Sequence, residues 1–520
     1  MKILYKNKVI QCLILLTFVL LLHISLGYKL RFFYVLSFTA FLLCLSARFK
    51  KSYSICIILL SIIGAIYTPI GLKYGSPNIN SVISFFYTNT NETLEFIQTL
   101  SPVNLIFSFF IIVFGFLSLK VSIFIKNKPA LFITFIFIIT SVTWPIKSFL
   151  NNGSYDIEVK LPILRFFNDI KKHYDSVKIE SEWINVELKK KDNWDPIKQE
   201  QYDNYILVIG ESVRRDFMQS YGFPINNTPF LEKSPVIQFN NYISAAPSTL
   251  FSLPPSLTLT DKNTNNTELQ NNIITLAKKA GLNTYWFSNQ GAMIGSDSII
   301  STIGKRADTY HFLSKGDYHN NGLTTDNDLL PDIQKALSNN NEKNKLIVVH
   351  LIGSHSQACA RTQDKYDEFF QSTELSCYIQ SIKNTDKLLE NIVTMSNNTG
   401  KSWSLLYFSD HGLSYENKGE SYAKLTHDDK FKQNFEIPLF ILSSDSKEKK
   451  HITERRNGRY FMSLFSEWTG ITDSKIPNHC HMISNDICDD QDTVINFQKE
   501  HIDYNSLPED KINYSLEKES

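Results

Sequence analysis

Strong net charge is absent from this sequence: 53 Lys and Arg face 52 Asp and Glu, a formal balance of +1. That balance excludes the chain-wide positive field by which nucleic-acid binders collect phosphate. No C-x-x-C pair occurs among the seven cysteines, which argues against a cysteine-held zinc site. No internal repeat is present. No small-residue cleavage site follows the first apolar run, so that run reads as an uncleaved anchor and not as a signal peptide.

What is present is unevenness. Five apolar runs, at 9–27, 32–47, 54–72, 103–125 and 129–147, fill the first 150 residues. A helix crosses a bilayer with about 20 apolar residues, so a five-helix membrane domain is expected over 1–150, with an external loop at 73–102. Orientation follows the cations near the ends. Lys2, Lys6, Lys8, Arg48, Lys50, Lys51, Lys126 and Lys128 fall on one side, against Lys29 and Arg31 on the other. The N-terminus is therefore expected in the cytoplasm, and everything after about residue 148 outside. Cysteine usage agrees. Cys12, Cys44 and Cys56 lie in the runs, while Cys359, Cys377, Cys480 and Cys488 form an even set in the polar part. An even set suits an oxidising compartment, and proximity pairs Cys359 with Cys377 and Cys480 with Cys488.

Residues 151–200 read as a bridge. Ile163, Phe166, Ile170, Tyr174 and Val177 recur at helical spacing. That face suits either the membrane surface or the soluble domain. A polar linker, "KKKDNWDP", follows. Over 201–500 short apolar strands ("YILVIGES", "NTYWFSN", "NKLIVVHLIGSH", "WSLLYFSDHG", "IPLFILSS") alternate with helical segments. The expectation is an α/β domain with a mainly parallel central sheet. Residues 501–520 read as a loose polar tail.

Ligands of such sheets gather beyond the carboxyl ends of the strands. Glu211, His355, Asp410 and His411 all follow apolar strands, and His427 comes sixteen residues after His411. Two carboxylates and a histidine at one edge suggest a divalent metal. Zinc accepts mixed oxygen and nitrogen ligands, whereas manganese and magnesium prefer more oxygens.

"ILVIGESVRRDFMQSYGF…NNTPFL" and "SDHG" resemble the phosphoethanolamine transferases of Gram-negative envelopes, in the alkaline phosphatase and sulfatase superfamily. The resemblance extends to the spans, the bridge and the external loop, where Thr88, Asn89, Glu92 and Glu95 fit a T-N-x-x-E-x-x-E pattern. It implies a multi-pass inner-membrane protein, a monomer, with a periplasmic catalytic domain. It implies phosphoethanolamine transfer from phosphatidylethanolamine to lipopolysaccharide core sugar, lipid A or another glycan, through a phosphothreonine. The nucleophile segment corresponds to "AAPSTLFSLPP", which places the threonine at Thr249, with Ser248 and Ser212 as alternatives. The implied zinc ligands are Glu211, Thr249, Asp410 and His411, with room for a second ion. His355 and His427 would act as acid or base and approach the phosphate or acceptor. Asn89, Glu92 and Glu95 would meet the donor headgroup, and Asn289 and Gln290 the acceptor.

The sequence also departs from the family pattern. Ala245 and Pro255 stand where relatives carry cysteines, so the nucleophile loop is expected to be held by packing alone. Ile294 replaces a lysine of lipid A-modifying members, which points toward core sugars or other glycans. A glycerol-phosphate polymerase resembling lipoteichoic acid synthases, and an inactive membrane scaffold, are the competing readings. No C-x-P-x-R segment is present for a formylglycine sulfatase.

Overall fold

The computed structural model describes residues 7–77, 82, 102–122, 128–129, 132, 135–136, 139, 161–199, 201–262, 264–292, 296–314, 324–339, 344–477 and 480–512. The chain divides into two compact units, 1–179 and 180–520.

Four helices of the first unit coincide with four of the apolar runs: α1 (Lys8–Ser25), α2 (Phe32–Arg48), α3 (Lys50–Tyr74) and α4 (Pro102–Ser118). Lys8–Ser25 and Lys50–Leu72 meet the length and composition of a bilayer crossing, with mean hydropathies of 2.1 and 2.3. α2 and α4 are 17 residues each. Most of the fifth run lies outside the described residues. Leu15, Phe18, Leu22, Phe38, Tyr53 and Ile111 form the core of this unit. Its outward residues are also apolar, among them Phe32, Ile55, Ile62, Phe109 and Phe116. A helix apolar on all sides needs an apolar solvent as well as an apolar core. Close approach sets α3 against α4: a Cβ on Gly115 would lie 2.0 Å from Ser61 Oγ.

α5 (Pro162–Lys189) opens on a proline at its first position and runs through the bridge. Its first turns take neither the membrane surface nor the soluble domain but pack on the helices of the first unit. Ile163 and Phe166 are buried there, and the Phe166 and Tyr67 rings lie 4.9 Å apart.

The second unit is built on one eight-stranded sheet. Its strands are β1 (Asn204–Gly210), β2 (Ile237–Phe239), β3 (Asn283–Ser288), β4 (Thr309–Phe312), β5 (Lys345–His350), β6 (Trp403–Ser409), β7 (Leu439–Ser443) and β8 (Lys450–Ile452). Their order across the sheet is β8-β2-β7-β6-β1-β5-β3-β4. The sheet is mixed. The block β6-β1-β5-β3-β4 is parallel, and β7 runs antiparallel to both β6 and β2. β1 is buried at all seven positions, as a strand covered on both faces must be. Ile206 and Val208 enter one core, while Tyr205, Leu207 and Ile209 enter the other. Register then places the site. Gly210 pairs with Ser409, so Glu211 and Asp410 leave adjacent parallel strands at the same level.

Residues 501–512, read from composition as loose, are folded. His501–Asp503 pairs with Thr493–Ile495, and Tyr504 and Asp510 are buried. The reason is Arg214. Its fully buried guanidinium donates to Asp216 Oδ2 (2.7 Å), Asp510 Oδ2 (2.8 Å) and Asp510 O (2.8 Å). A buried cation needs such partners. Asp510→Ala is expected to cost roughly 3 kcal/mol, because removing one partner strands a buried charge. Urea denaturation followed by tryptophan fluorescence measures this, and an unchanged midpoint would contradict it.

Candidate metal centre

Glu211, Thr249, Asp410 and His411 converge at the carboxyl ends of β1 and β6. Thr249 opens helix α6 (Thr249–Leu257), and its Oγ lies 2.6 Å from Asp410 Oδ2 and 3.2 Å from Glu211 Oε2. His411 Nε2 lies 3.4 Å from Glu211 Oε1 and 3.5 Å from Asp410 Oδ2. The other oxygen of Asp410 accepts the backbone N–H groups of Ser212 (2.9 Å) and His411 (2.8 Å). One Asp410 oxygen is thus tied to the scaffold, and the other faces the threonine. Gly412 permits the turn: its N–H reaches Asn434 O at 2.8 Å, and a Cβ there would lie 2.0 Å from Gln433 O.

The electrostatics call for a cation. Glu211, Asp410 and His411 are at most 1% exposed. Burial and the neighbouring Glu211 push Asp410 up to about 6. Burial opposes ionisation of Glu211 too, but the His411 ring holds it below the usual carboxylate range. Burial would lower His411, yet Asp410 and Glu211 lift it to about 9. His411 Nδ1 sits 2.8 Å from Gly412 O, a contact only an N–H can make. That leaves Nε2 aimed at two carboxylates, buried and without a hydrogen-bond partner. A divalent ion among these atoms would satisfy the nitrogen and both acids at once. Ligand atoms of Glu211, His411 and His427 all lie within 4.8 Å of one another. The set of carboxylate oxygens and imidazole nitrogens suits zinc.

The structure places the remaining expected residues differently. His427, expected as acid or base, joins the ligand cluster, its ring 4.9 Å from that of His411. It is the exposed member, and its pKa is lowered, first by desolvation of the ring and then by His411 and His355. His355 stands one ring further out, 6.0 Å from His427. Asn289 and Gln290, expected at the acceptor, are only 1% and 3% exposed and bond internally. Asn289 donates to Asp326 Oδ1 at 2.9 Å and accepts from Thr324 Oγ at 3.0 Å. Gln290 Nε2 donates to Glu211 Oε2 (3.0 Å) and Leu351 O (2.9 Å). It therefore orients a carboxylate instead of a sugar. Gln290→Ala should weaken zinc binding about ten- to a hundredfold, measured by competition with a chromophoric chelator. Unchanged affinity would refute this role. Asn89, Glu92 and Glu95 lie outside the described residues.

The nucleophile loop has more than packing to hold it. Ser244 N–H donates to Phe435 O (2.8 Å), Ile495 N–H to Ala245 O (2.9 Å) and Ser252 Oγ to Asp410 O (2.6 Å). Ser252 thereby ties α6 to the Asp-His turn, a link that spacing within its segment does not show. Ser212 is fully buried at φ 60°, its hydroxyl donating to Glu211 Oε1 at 2.7 Å. Both cysteine pairs form disulfides, Cys359–Cys377 and Cys480–Cys488.

The sulfatase family matches residues 203–471. The phosphoethanolamine transferase OpgE of Escherichia coli strain K12 is 35% identical over 499 residues, covering 94% of each chain. This chain belongs to the phosphoethanolamine transferases. A putative member from Haemophilus influenzae is 32% identical over 383 residues, 70% of this chain and 75% of that one. The fold of the second unit also has a solved counterpart. The periplasmic domain of E. coli EptC, crystallised with zinc, aligns at a TM-score of 0.54 and 20% identity, covering 61% of this transferase and 98% of that domain.

Proposed function

We propose that this transferase moves phosphoethanolamine from phosphatidylethanolamine to an envelope glycan through a phosphothreonine at Thr249. The observation that carries this is the hydroxyl of Thr249, partly exposed and within 3.2 Å of both buried carboxylates. A bound zinc ion would lower the pKa of that hydroxyl and neutralise phosphoryl charge. Glu211, Asp410, His411 and Thr249 would hold the ion, with His427 at the same cluster.

Asp410 Oδ2 is placed to receive the threonine proton. Oγ then attacks phosphorus, the bond to the diacylglycerol oxygen breaks, and that oxygen takes a proton from an imidazolium. His355 and His427 stand at this approach, and His355 gives the proton, because desolvation and the neighbouring rings disfavour the charged form of His427. An acceptor hydroxyl next gives its proton to an imidazole and attacks phosphorus, the bond to Thr249 Oγ breaks, and Oγ takes its proton back from Asp410. The donor ammonium would meet Asn89, Glu92 and Glu95. The apolar outward faces of α1–α4 support a multi-pass inner-membrane protein, and the distribution of Lys and Arg supports an N-terminus in the cytoplasm. The two disulfides support a periplasmic catalytic unit. The protein works as a monomer in this reading. The loss of the lysine at Ile294 favours core sugar or another glycan over lipid A.

Mass spectrometry of envelope lipids and glycans, from cells with and without the chain, tests this. A phosphoethanolamine mass added only with the chain supports the transfer, and the modified molecule names the acceptor. An unchanged envelope together with a zinc-free purified protein would favour the scaffold reading.

A further inference from the structure

A pocket of about 420 Å³ lies against α6, the helix that carries Thr249. That volume falls in the range of small-ligand sites. The helix has two working faces. Thr249 and Ser252 turn toward Asp410, whereas Leu250, Phe251, Pro254 and Pro255 form the pocket floor. Two β-hairpins make walls. Thr258–Thr260 with Thr267–Asn272 contributes Asn265, Thr267 and Gln270, and Thr493–Ile495 with His501–Asp503 contributes Ile495 and Lys499. His501 Nε2 and Asn265 Oδ1, 2.8 Å apart, tie the hairpins together. The last turns of α5 close the remaining side with Trp183 and Glu187, four residues apart on one helix face, and with Lys190 just past the helix end.

The lining is specific in kind. Trp183 and Phe251 are partly buried rings. Lys499 Nζ stands 5.6 Å from the centre of the Phe251 ring, on a backbone with φ 64°. A lysine in the left-handed region is uncommon, and such conformations collect at ligand sites. Lys190 is paired with Glu187 at 2.7 Å, which leaves Lys499 as the one uncompensated charge among the described wall residues. Amide, hydroxyl and carboxylate groups stand beside the rings and the aliphatic Leu250, Leu269, Ile299 and Ile495. An acyl chain would give the half-buried Thr267 and Gln270 side chains no hydrogen-bond partner. A sugar ring offers an apolar face to the aromatic residues and hydroxyls to Asn265, Gln270 and Glu187.

We infer that this pocket binds a hexose unit of the acceptor glycan and so determines which chain is presented to Thr249. The inference rests on the transferase reading above and adds a recognition site on the far face of the nucleophile helix. Such a site leaves the donor half-reaction alone and acts on the acceptor.

The test uses full-length protein in detergent micelles containing phosphatidylethanolamine. One assay reads the burst of diacylglycerol without acceptor. The other reads transfer to an envelope glycan extract that includes lipopolysaccharide. Trp183→Ala should keep the burst and raise the KM for glycan by roughly tenfold or more, with kcat largely kept. Trp183→Phe should restore most of the affinity, which separates ring stacking from a folding defect. A weakened burst in Trp183→Ala would make the pocket a donor-lipid site and overturn the inference. So would an unchanged KM. If the native chain releases no diacylglycerol, the transferase reading itself falls.

Discussion

Thr249→Ala is expected to abolish phosphoethanolamine transfer, by about 10⁴-fold or more, the scale seen when a covalent nucleophile is removed. The structure gives the reason. No other hydroxyl is placed for the reaction among the described residues of the centre. Ser212 is fully buried and spends its proton on Glu211. Ser248 precedes α6 as its cap, and the hydroxyl that bonds both carboxylates is that of Thr249. Ser248→Ala should therefore keep most of the activity, and Thr249→Ser part of it. Intact-mass analysis of the purified protein with phosphatidylethanolamine should show the phosphoethanolamine adduct in the native chain and none in Thr249→Ala. An adduct that persists in Thr249→Ala would move the nucleophile elsewhere.

The second large effect concerns the buried acids. Asp410 and Glu211 raise the cost of each other's charge, and a bound cation removes that cost. Zinc at a thousand times its dissociation constant should stabilise the fold by about 4 kcal/mol. Asp410→Asn should reverse the ranking according to metal. With zinc present the variant should melt below the native protein, because it holds the ion poorly. In chelator it should melt at or above the native protein, because one of two mutually repelling carboxylates is gone. Differential scanning calorimetry with zinc and with chelator gives the four values. If the native protein melts at the same temperature in both, the cluster holds no stabilising ion.

Much of this protein was legible from its residues. The apolar runs, the strand-then-turn pattern at "ILVIGES" and "LLYFSDHG", and the cysteine pairs announce themselves because each is local. Hydropathy, period and proximity suffice for them. Thr249 stands out only through the resemblance of its segment to a known family.

Other features depend on residues far apart in sequence. Gln290 looked like a substrate contact until the β3-β5-β1 order brought its amide to Glu211, 79 positions away. The tail looked loose because its anchor, Arg214, lies 296 positions earlier. The antiparallel β7 and the pocket behind α6 have the same origin. Composition and period are properties of a segment, so the sequence by itself determined which segments are apolar helices, which are strands and which cysteines pair. Burial and partnership are properties of distant segments brought together, so only the tertiary structure decided what each polar group faces.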